Sequence, residues 1–224
     1  MLISVIIPTC NDEAIIAATL AQLSTQPGDF EVIVVDGGST DNTLDWVKDP
    51  VKIVPLPGTR GGALLNAGAA AARGEVLLFL WPDSRLSSNA LLAIEQNLQL
   101  LPQTIGGNFH LKFDQDTPFT RWLTRRLKQQ RYRGHYDDHS GIFIRREVFQ
   151  ALGGCRSSDL LADYGLAQRM ETYGPTVYLP EVIIRSTPKL WSRQMLKVLL
   201  TGLVIPGLLR LGIHPDRLAS FGGL

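Results

Sequence analysis

Residues 3–13, Ile-Ser-Val-Ile-Ile-Pro-Thr-Cys-Asn-Asp-Glu, decide how the rest of the chain reads. "ISVIIP" is apolar at almost every position, the pattern of a strand buried on both faces rather than one. Asn11 and Asp12 follow as candidate helix N-caps. "NDEAIIAATLAQLS" then places Ile15, Ile16, Thr19, Leu20 and Leu23 on one helical stripe. A fully apolar strand running into an amphipathic helix is the opening unit of a parallel sheet covered on both sides.

The pattern repeats outward. "EVIVVD" is a second buried strand, and "STDNTLDWV" predicts a second helix behind Ser39 or Asp41. "VKIVPL" is a shorter strand stopped by prolines. Gly58 to Gly62 form a loop, and "ALLNAGAAAA" is a small-residue helix that must pack closely on a sheet. "EVLLFL" is the fourth strand, and Ser87 or Ser88 caps "NALLAIEQNLQLL". Residues 1–101 thus read as a doubly wound, nucleotide-binding half of an α/β protein. The second half is less regular: an alternating strand "NFHLKF", a basic helix over 118–130, a short strand "SGIFIRR" into a helix, the helix "LLADYGLAQRMETYG", and a broken strand "TVYLPEVIIR".

Net charge is +1, but unevenly spread. Residues 1–59 hold eight acids against two lysines, whereas 121–133 hold six basic residues and no acid. No nucleic-acid recognition motif accompanies the basic segments, so nucleic acid is not expected as a partner. A phosphate-bearing substrate or an anionic membrane face accounts for them as well. Cys10 and Cys155 carry no metal or disulfide spacing and read as buried thiols of a cytoplasmic protein; no export signal is visible ahead of "MLISVIIP". The uncharged run "VLLTGLVIPGLL" has 12 residues, short of the roughly 20 a spanning helix needs. Residues 189–224 are expected as an amphipathic tail; 189–213 would lie on a membrane surface as a peripheral contact, or pack against a second copy in a homodimer.

Neither G-x-G-x-x-G after the first strand nor G-x-x-x-x-G-K-[ST] occurs, which leaves hydride transfer and kinase chemistry without support. Polar residues instead stand at successive strand ends: Thr9, Asp36, Arg60 and Asp83. In a parallel sheet these ends converge on one crevice. Asp36 could accept hydrogen bonds from a base or ribose, Arg60 could reach a phosphate, and Asp83 could hold a divalent cation against a diphosphate. Each alone is equally a capping or turn residue; "WPDS" in particular has turn chemistry.

Together, "SVIIPTCNDE", "VVDGGSTDNT", "RGGALLNAGAAAARGEVLLFL" and "PDS" resemble the family 2 glycosyltransferases of the GT-A fold. The subgroup with VVDGGSTD and NAGAAAA motifs is most similar, and some of its relatives are labelled as arsenosugar-biosynthesis transferases. The resemblance implies a GT-A domain over 1–188, with a nucleotide-binding half (1–101) and a smaller acceptor half (102–188). It implies transfer of a sugar from a nucleotide diphosphate donor to an acceptor hydroxyl, with inversion, helped by Mg²⁺ or Mn²⁺. Thr9, Asp36 and Arg60 match nucleotide-binding positions, and Asp83 matches the metal-binding carboxylate of the D-x-D motif, whose other positions here are Trp81 and Pro82.

"LLADYGLAQRM" looks like the family's acceptor-side helix, so that Asp163 matches the catalytic base and Arg169 its trailing arginine; Ala162 and Gly165 replace the usual acids. A carboxylate in that position can take a proton from an attacking hydroxyl, or simply favour the helix dipole. His139 falls where the subgroup has an acid; it would contact a phosphate, metal or acceptor, or be a loop histidine. The alternative function is a non-catalytic nucleotide-sugar-binding regulator that has lost part of the metal and acceptor motifs.

Overall fold

All seven residues of β1 (Ile3–Thr9) are buried, and the two faces of the strand look into different cores. Ile3, Val5 and Ile7 join one cluster with α1 (Glu13–Leu23) and α3 (Ala90–Leu100); Ile6 joins another with α2 (Gly62–Ala71). That alternation is the period-two geometry of a strand with helices on both sides. Trimming a residue such as the fully buried Ile6 to Ala would cost about 2–5 kcal/mol. The computed structural model describes residues 1–131, 140–156 and 162–187, with Ala162, Asp163 and Tyr164 described by their backbone.

β1 pairs in parallel with β2 (Phe30–Asp36) and β4 (Val76–Phe79), and β2 pairs in parallel with β3 (Lys52–Pro55). Register brings Thr9 opposite Asp36, so those two strand ends lie side by side. Beyond β4 the sheet changes character. β7 (Phe143–Arg145) runs antiparallel to both β4 and β6 (Gly106–Phe113). β8 (Thr176–Arg185) is parallel to β6, with a register shift opposite Phe109 and His110 that breaks it where Pro180 stands in the sequence. With β5 (Ser84–Leu86), the eight strands form one sheet, ordered β3-β2-β1-β4-β7-β6-β8-β5. α4 (Pro118–Arg131) joins the α1/α3 side through Leu123 and Leu127; α5 (Arg146–Ala151) and α6 (Ala162–Tyr173) join the α2 side.

Two expectations need correction. "STDNTLDWV" forms only a short 3-10 turn, Asn42–Trp46, because its polar groups bond to the neighbouring loop rather than to a helix of their own. The backbone NH of Asp12 donates to Thr43 Oγ1 at 2.8 Å, that of Thr40 to Asn11 Oδ1 at 2.8 Å, and that of Asn42 to Glu13 Oε2 at 3.2 Å. Ser84–Leu86, where no strand was expected, is the edge strand β5, antiparallel to β8. The turn itself is present just before it, with Ser84 NH donating to Trp81 O at 3.0 Å.

Gly68 explains why α2 is built of small residues: a Cβ there would lie 2.3 Å from Ile6 Cγ2 and 3.0 Å from Val35 Cγ2. The helix can therefore rest directly on β1 and β2. Among the described residues no helix is long and apolar enough to cross a membrane. The tail, 189–224, lies outside them.

Candidate functional site

The carboxyl ends of β1 and β4 open into a cleft of about 420 Å³. Its floor is the turn after β1, from Pro8 to Asp12; one wall is Arg60, Gly61 and Leu64 at the start of α2; the other is Trp81, Pro82 and Asp83 after β4, with Arg185 at the end of β8. Thr9, Arg60 and Asp83, singled out in the sequence, are brought together here. This is the crevice that an open α/β sheet offers to ligands.

The floor is held by an unusual turn. Asn11 has φ of 58°, in the left-handed region that Asn tolerates better than most residues. The turn swings Asp12 back over the strand end, so that its Oδ2 accepts from Thr9 Oγ1 (2.8 Å) and Cys10 NH (3.0 Å) instead of capping α1. Burial pushes the Asp12 carboxyl above its ordinary value, opposed by those two hydrogen bonds and reinforced by the charges of Asp83 and Asp41. Sequence reasoning gave Asp12 only a capping role; the signal it carried was its place in "TCND", one residue beyond the strand turn.

Asp36, expected to accept from a base or ribose, is not among the residues that line the cleft. Its carboxylate is buried against its own turn, with Oδ1 accepting from Ser39 NH (3.1 Å) and Ser39 Oγ (2.5 Å), and Oδ2 from Gly38 NH and Ser39 NH (3.1 Å each). Three donors hold it, Ser39 NH being shared between the two oxygens, so with about four lone-pair sites the carboxylate keeps capacity for one more donor. Asp36 shapes the loop, and through Ser39 Oγ, which accepts from Asn11 NH at 3.0 Å, it braces the cleft floor.

Asp83 follows Trp81-Pro82 at the far wall. The segment is latched to α1, where Thr19 Oγ1 donates to Pro82 O (2.5 Å) and Gln22 exchanges hydrogen bonds with the backbone of Leu86 (2.8 and 3.2 Å). Its carboxylate meets Arg185: Nη2 lies 2.7 Å from Oδ1 and 2.8 Å from Oδ2. Only the Oδ2 contact has hydrogen-bond geometry, leaving Oδ1 buried without a hydrogen bond. The Arg185 guanidinium also sits 6.0 Å from the centre of the Trp81 ring. Nothing in the sequence pointed to Arg185, which is 102 residues away and joins the site only because β8 pairs with β5.

Arg169, expected to contact an acceptor or phosphate, donates to three carbonyls, Leu152 O (2.5 Å), Gly154 O (2.7 Å) and Gly165 O (3.1 Å). Burial lowers its pKa, and the charge of Arg156 adds to that. It clamps the chain leading into α6. Asn66 of α2 grips the same stretch from the other side, with Nδ2 donating to Cys155 O and Oδ1 accepting from Cys155 NH, both at 2.8 Å. Asp163 stands in the first turn of α6, and its side chain, like His139, lies outside the described residues.

Curated relatives match part of this chain. A stretch of 89 residues is 42% identical to a validoxylamine A glucosyltransferase of Streptomyces hygroscopicus subsp. limoneus, covering 35% of this chain and 20% of the relative. Over 98 residues it is 39% identical to a PGL/p-HBAD biosynthesis glycosyltransferase of Mycobacterium bovis, covering 40% of this chain and 38% of that protein. The chain thus spans well under half the length of these relatives. Among solved structures, a mannosyltransferase from Pyrobaculum calidifontis, in complex with GDP-Man and Mn²⁺, superposes with a TM-score of 0.71 at 21% identity, over 93% of this chain and 64% of that one. TarS of S. aureus in complex with UDP-GlcNAc gives 0.62 at 19%, over 84% and 59%. These likenesses identify the fold as GT-A-like. The model of "Glycosyl transferase family 2" matches residues 4–153, two thirds of the chain, which therefore belongs to that family.

Proposed function

We propose that the protein transfers a sugar from a nucleoside diphosphate donor to an acceptor hydroxyl, with inversion at the anomeric carbon. The observation that carries this reading is the cleft itself: Thr9, Asp12, Arg60, Asp83 and Arg185 gather at the carboxyl ends of β1 and β4. A polar, mixed-charge cleft at this position suits a nucleotide whose diphosphate lies toward Arg60 and Asp83. Asp36 supports the nucleotide end indirectly, through the turn it organises. The acceptor hydroxyl would attack the anomeric carbon on the face opposite the diphosphate, and the bond to the diphosphate oxygen would break as the new bond forms. Asp163, opening α6 on the acceptor side, would take the hydroxyl proton, and the nucleoside diphosphate would leave with the bonding pair. Asn66 and Arg169 hold the chain that leads to Asp163.

Family membership implies a divalent cation at the diphosphate, as the mannosyltransferase relative holds Mn²⁺. The cleft suits one in a reduced form. Asp83 Oδ1 is buried without a hydrogen bond, and Asp12 feels the Asp83 charge, so a cation there would share the Asp83 carboxylate with Arg185. Asp83 would be the protein ligand, donor oxygens and water supplying the rest, since no group of three His, Cys, Asp or Glu converges among the described residues. Bound there, Mg²⁺ or Mn²⁺ would offset charge on the departing diphosphate.

The deciding experiment is a thermal-shift panel of nucleoside diphosphates and their sugars, with and without Mn²⁺, followed by donor turnover. Saturable binding with release of the nucleoside diphosphate supports transfer. Binding without any turnover, in the presence of acceptor extracts or of water alone, would speak for a nucleotide-sugar-binding protein instead.

A further inference from the structure

We propose that the outer face of α4 docks the protein on an anionic lipid bilayer, with Phe119 and Trp122 seated at headgroup level and Arg121, Arg125, Arg126 and Lys128 facing the lipid phosphates. The proposal does not depend on the reading of the cleft as a donor site.

α4 has two faces of opposite character. Thr120, Leu123, Leu127 and Gln130, at i, i+3, i+7 and i+10, turn inward, and the two leucines join the core shared with α1 and α3. Trp122, Arg125 and Gln129, at i, i+3 and i+7, run along the opposite side and are exposed. Phe119 precedes Trp122 by one turn, and their ring centres lie 6.0 Å apart. Phe119 is 38% exposed and Trp122 46%, so the helix carries an aromatic pair that the core does not cover.

Charge selects the partner. No acid occurs in Pro118–Arg131. Among the described residues Arg125, Arg126 and Lys128 form no ion pair. Arg121 meets Asp116 at 3.2 Å, but both side chains are more than half exposed, so water screens that pair. Basic side chains interleaved with Trp and Phe match the surface of an anionic bilayer. Lipid phosphates attract the cations, and aromatic rings favour the headgroup level. The aromatic pair is what separates this face from a merely solvated basic helix.

The fold sets this face toward the cleft end of the sheet. β6, which leads into α4, runs parallel to β4, since both are antiparallel to β7. The connecting turn is tied to the strand that ends at Arg185: Asp114 NH donates to Arg185 O at 2.9 Å, and Thr187 NH to Asp114 Oδ1 at 2.7 Å. Phe119 and Trp122, in the first two turns of α4, therefore stand toward the end of the sheet at which the cleft opens. A docked molecule would hold the cleft beside the lipid surface.

Flotation of the full chain tests this, with vesicles of phosphatidylcholine alone and of phosphatidylcholine and phosphatidylglycerol in equal parts. Wild type should float with the anionic vesicles only, and less as salt is raised. Arg125→Gln/Lys128→Gln should weaken that binding by roughly tenfold or more, a few-fold for each cation. Trp122→Ser should weaken it severalfold at every salt concentration. All three side chains are exposed, so these variants keep the fold. Anionic-vesicle binding that survives both changes would overturn the proposal and place the contact elsewhere, as in the tail 189–213. Equal binding to phosphatidylcholine vesicles, or binding to neither, would overturn it too. Polyuridylate, titrated in parallel, separates lipid from any other polyanion. If Trp122→Ser leaves vesicle binding unchanged while Arg125→Gln/Lys128→Gln loses both vesicles and polyuridylate, the face is a general polyanion surface and the lipid assignment falls.

Discussion

Asn66 and Cys155 hold each other through both polar groups of one side chain and both polar groups of one residue's backbone, at 2.8 Å in each direction. The contact spans 89 residues and joins α2, which forms a wall of the cleft, to the chain entering α6. A side chain that both donates and accepts is required, and Asn supplies it where Asp does not. Asn66→Asp should therefore be more damaging than its size suggests, since a carboxylate would face the Cys155 carbonyl. We expect Asn66→Ala to cost about 1–3 kcal/mol of stability, the cost of polar groups left unpaired. Asn66→Asp should cost at least as much, read by chemical denaturation. Stability equal to wild type in both variants would mean the link is not formed in solution.

Asp163→Asn should abolish transfer while leaving donor affinity nearly intact. Loss of a positioned base lowers rate by about 10²–10⁴-fold, and a base acting on the acceptor hydroxyl would make no contact with the nucleotide. Single-turnover transfer and nucleotide titration separate the two effects. Wild-type rates in Asp163→Asn would end this mechanism and make His139 the next base to examine.

Metal removal should act through Asp83. With EDTA, nucleoside diphosphate affinity should drop severalfold in wild type, and Asp83→Asn should bind with the weakened affinity whether or not Mn²⁺ is present. An EDTA response that survives in Asp83→Asn would place the cation elsewhere.

Asp12 gives a pH signature. Its folded carboxyl is raised above the ordinary 3.8, by burial first. The folded state then binds the proton more tightly than the unfolded chain, so the contribution of Asp12 to stability is greatest in acid. That contribution is lost as pH climbs from near 3.8 through the raised value. Asp12→Asn, whose amide oxygen can still accept from Thr9 and Cys10, should thus gain melting temperature over wild type at pH 7, with the gap closing as pH falls toward 4. A gap that widens in acid would reverse the assignment.

Much of the first half was legible because each apolar run had one solution. "ISVIIP" and "EVLLFL" are too uniformly apolar to face water on either side, and Gly68 in "NAGAAAA" required a close surface. The residues that misled were those whose partners lie in another loop. Thr40, Asn42 and Thr43 look like a helix start, yet their groups are taken by Asn11, Asp12 and Glu13 across the strand ends. Asp36 ends a strand as a ligand group would, and what the sequence did not show is that three donors of its own turn already hold it. Arg185 was invisible, since only an antiparallel pairing of a three-residue edge strand brings it to Asp83.

The clearance at Gly68 reaches further than the core it relieves. Arg60 and Gly61 stand directly before α2, so the height of that helix over β1 sets how wide the cleft mouth is. A methyl group at position 68 would have to push past Ile6, and the helix would rise at its middle. The mouth would widen without any lining residue having changed. In Gly68→Ala we expect lower stability together with weakened diphosphate binding, because Arg60 would be carried away from the floor at Thr9. The aperture of this cleft is thus gauged by a carbon atom that the chain does without.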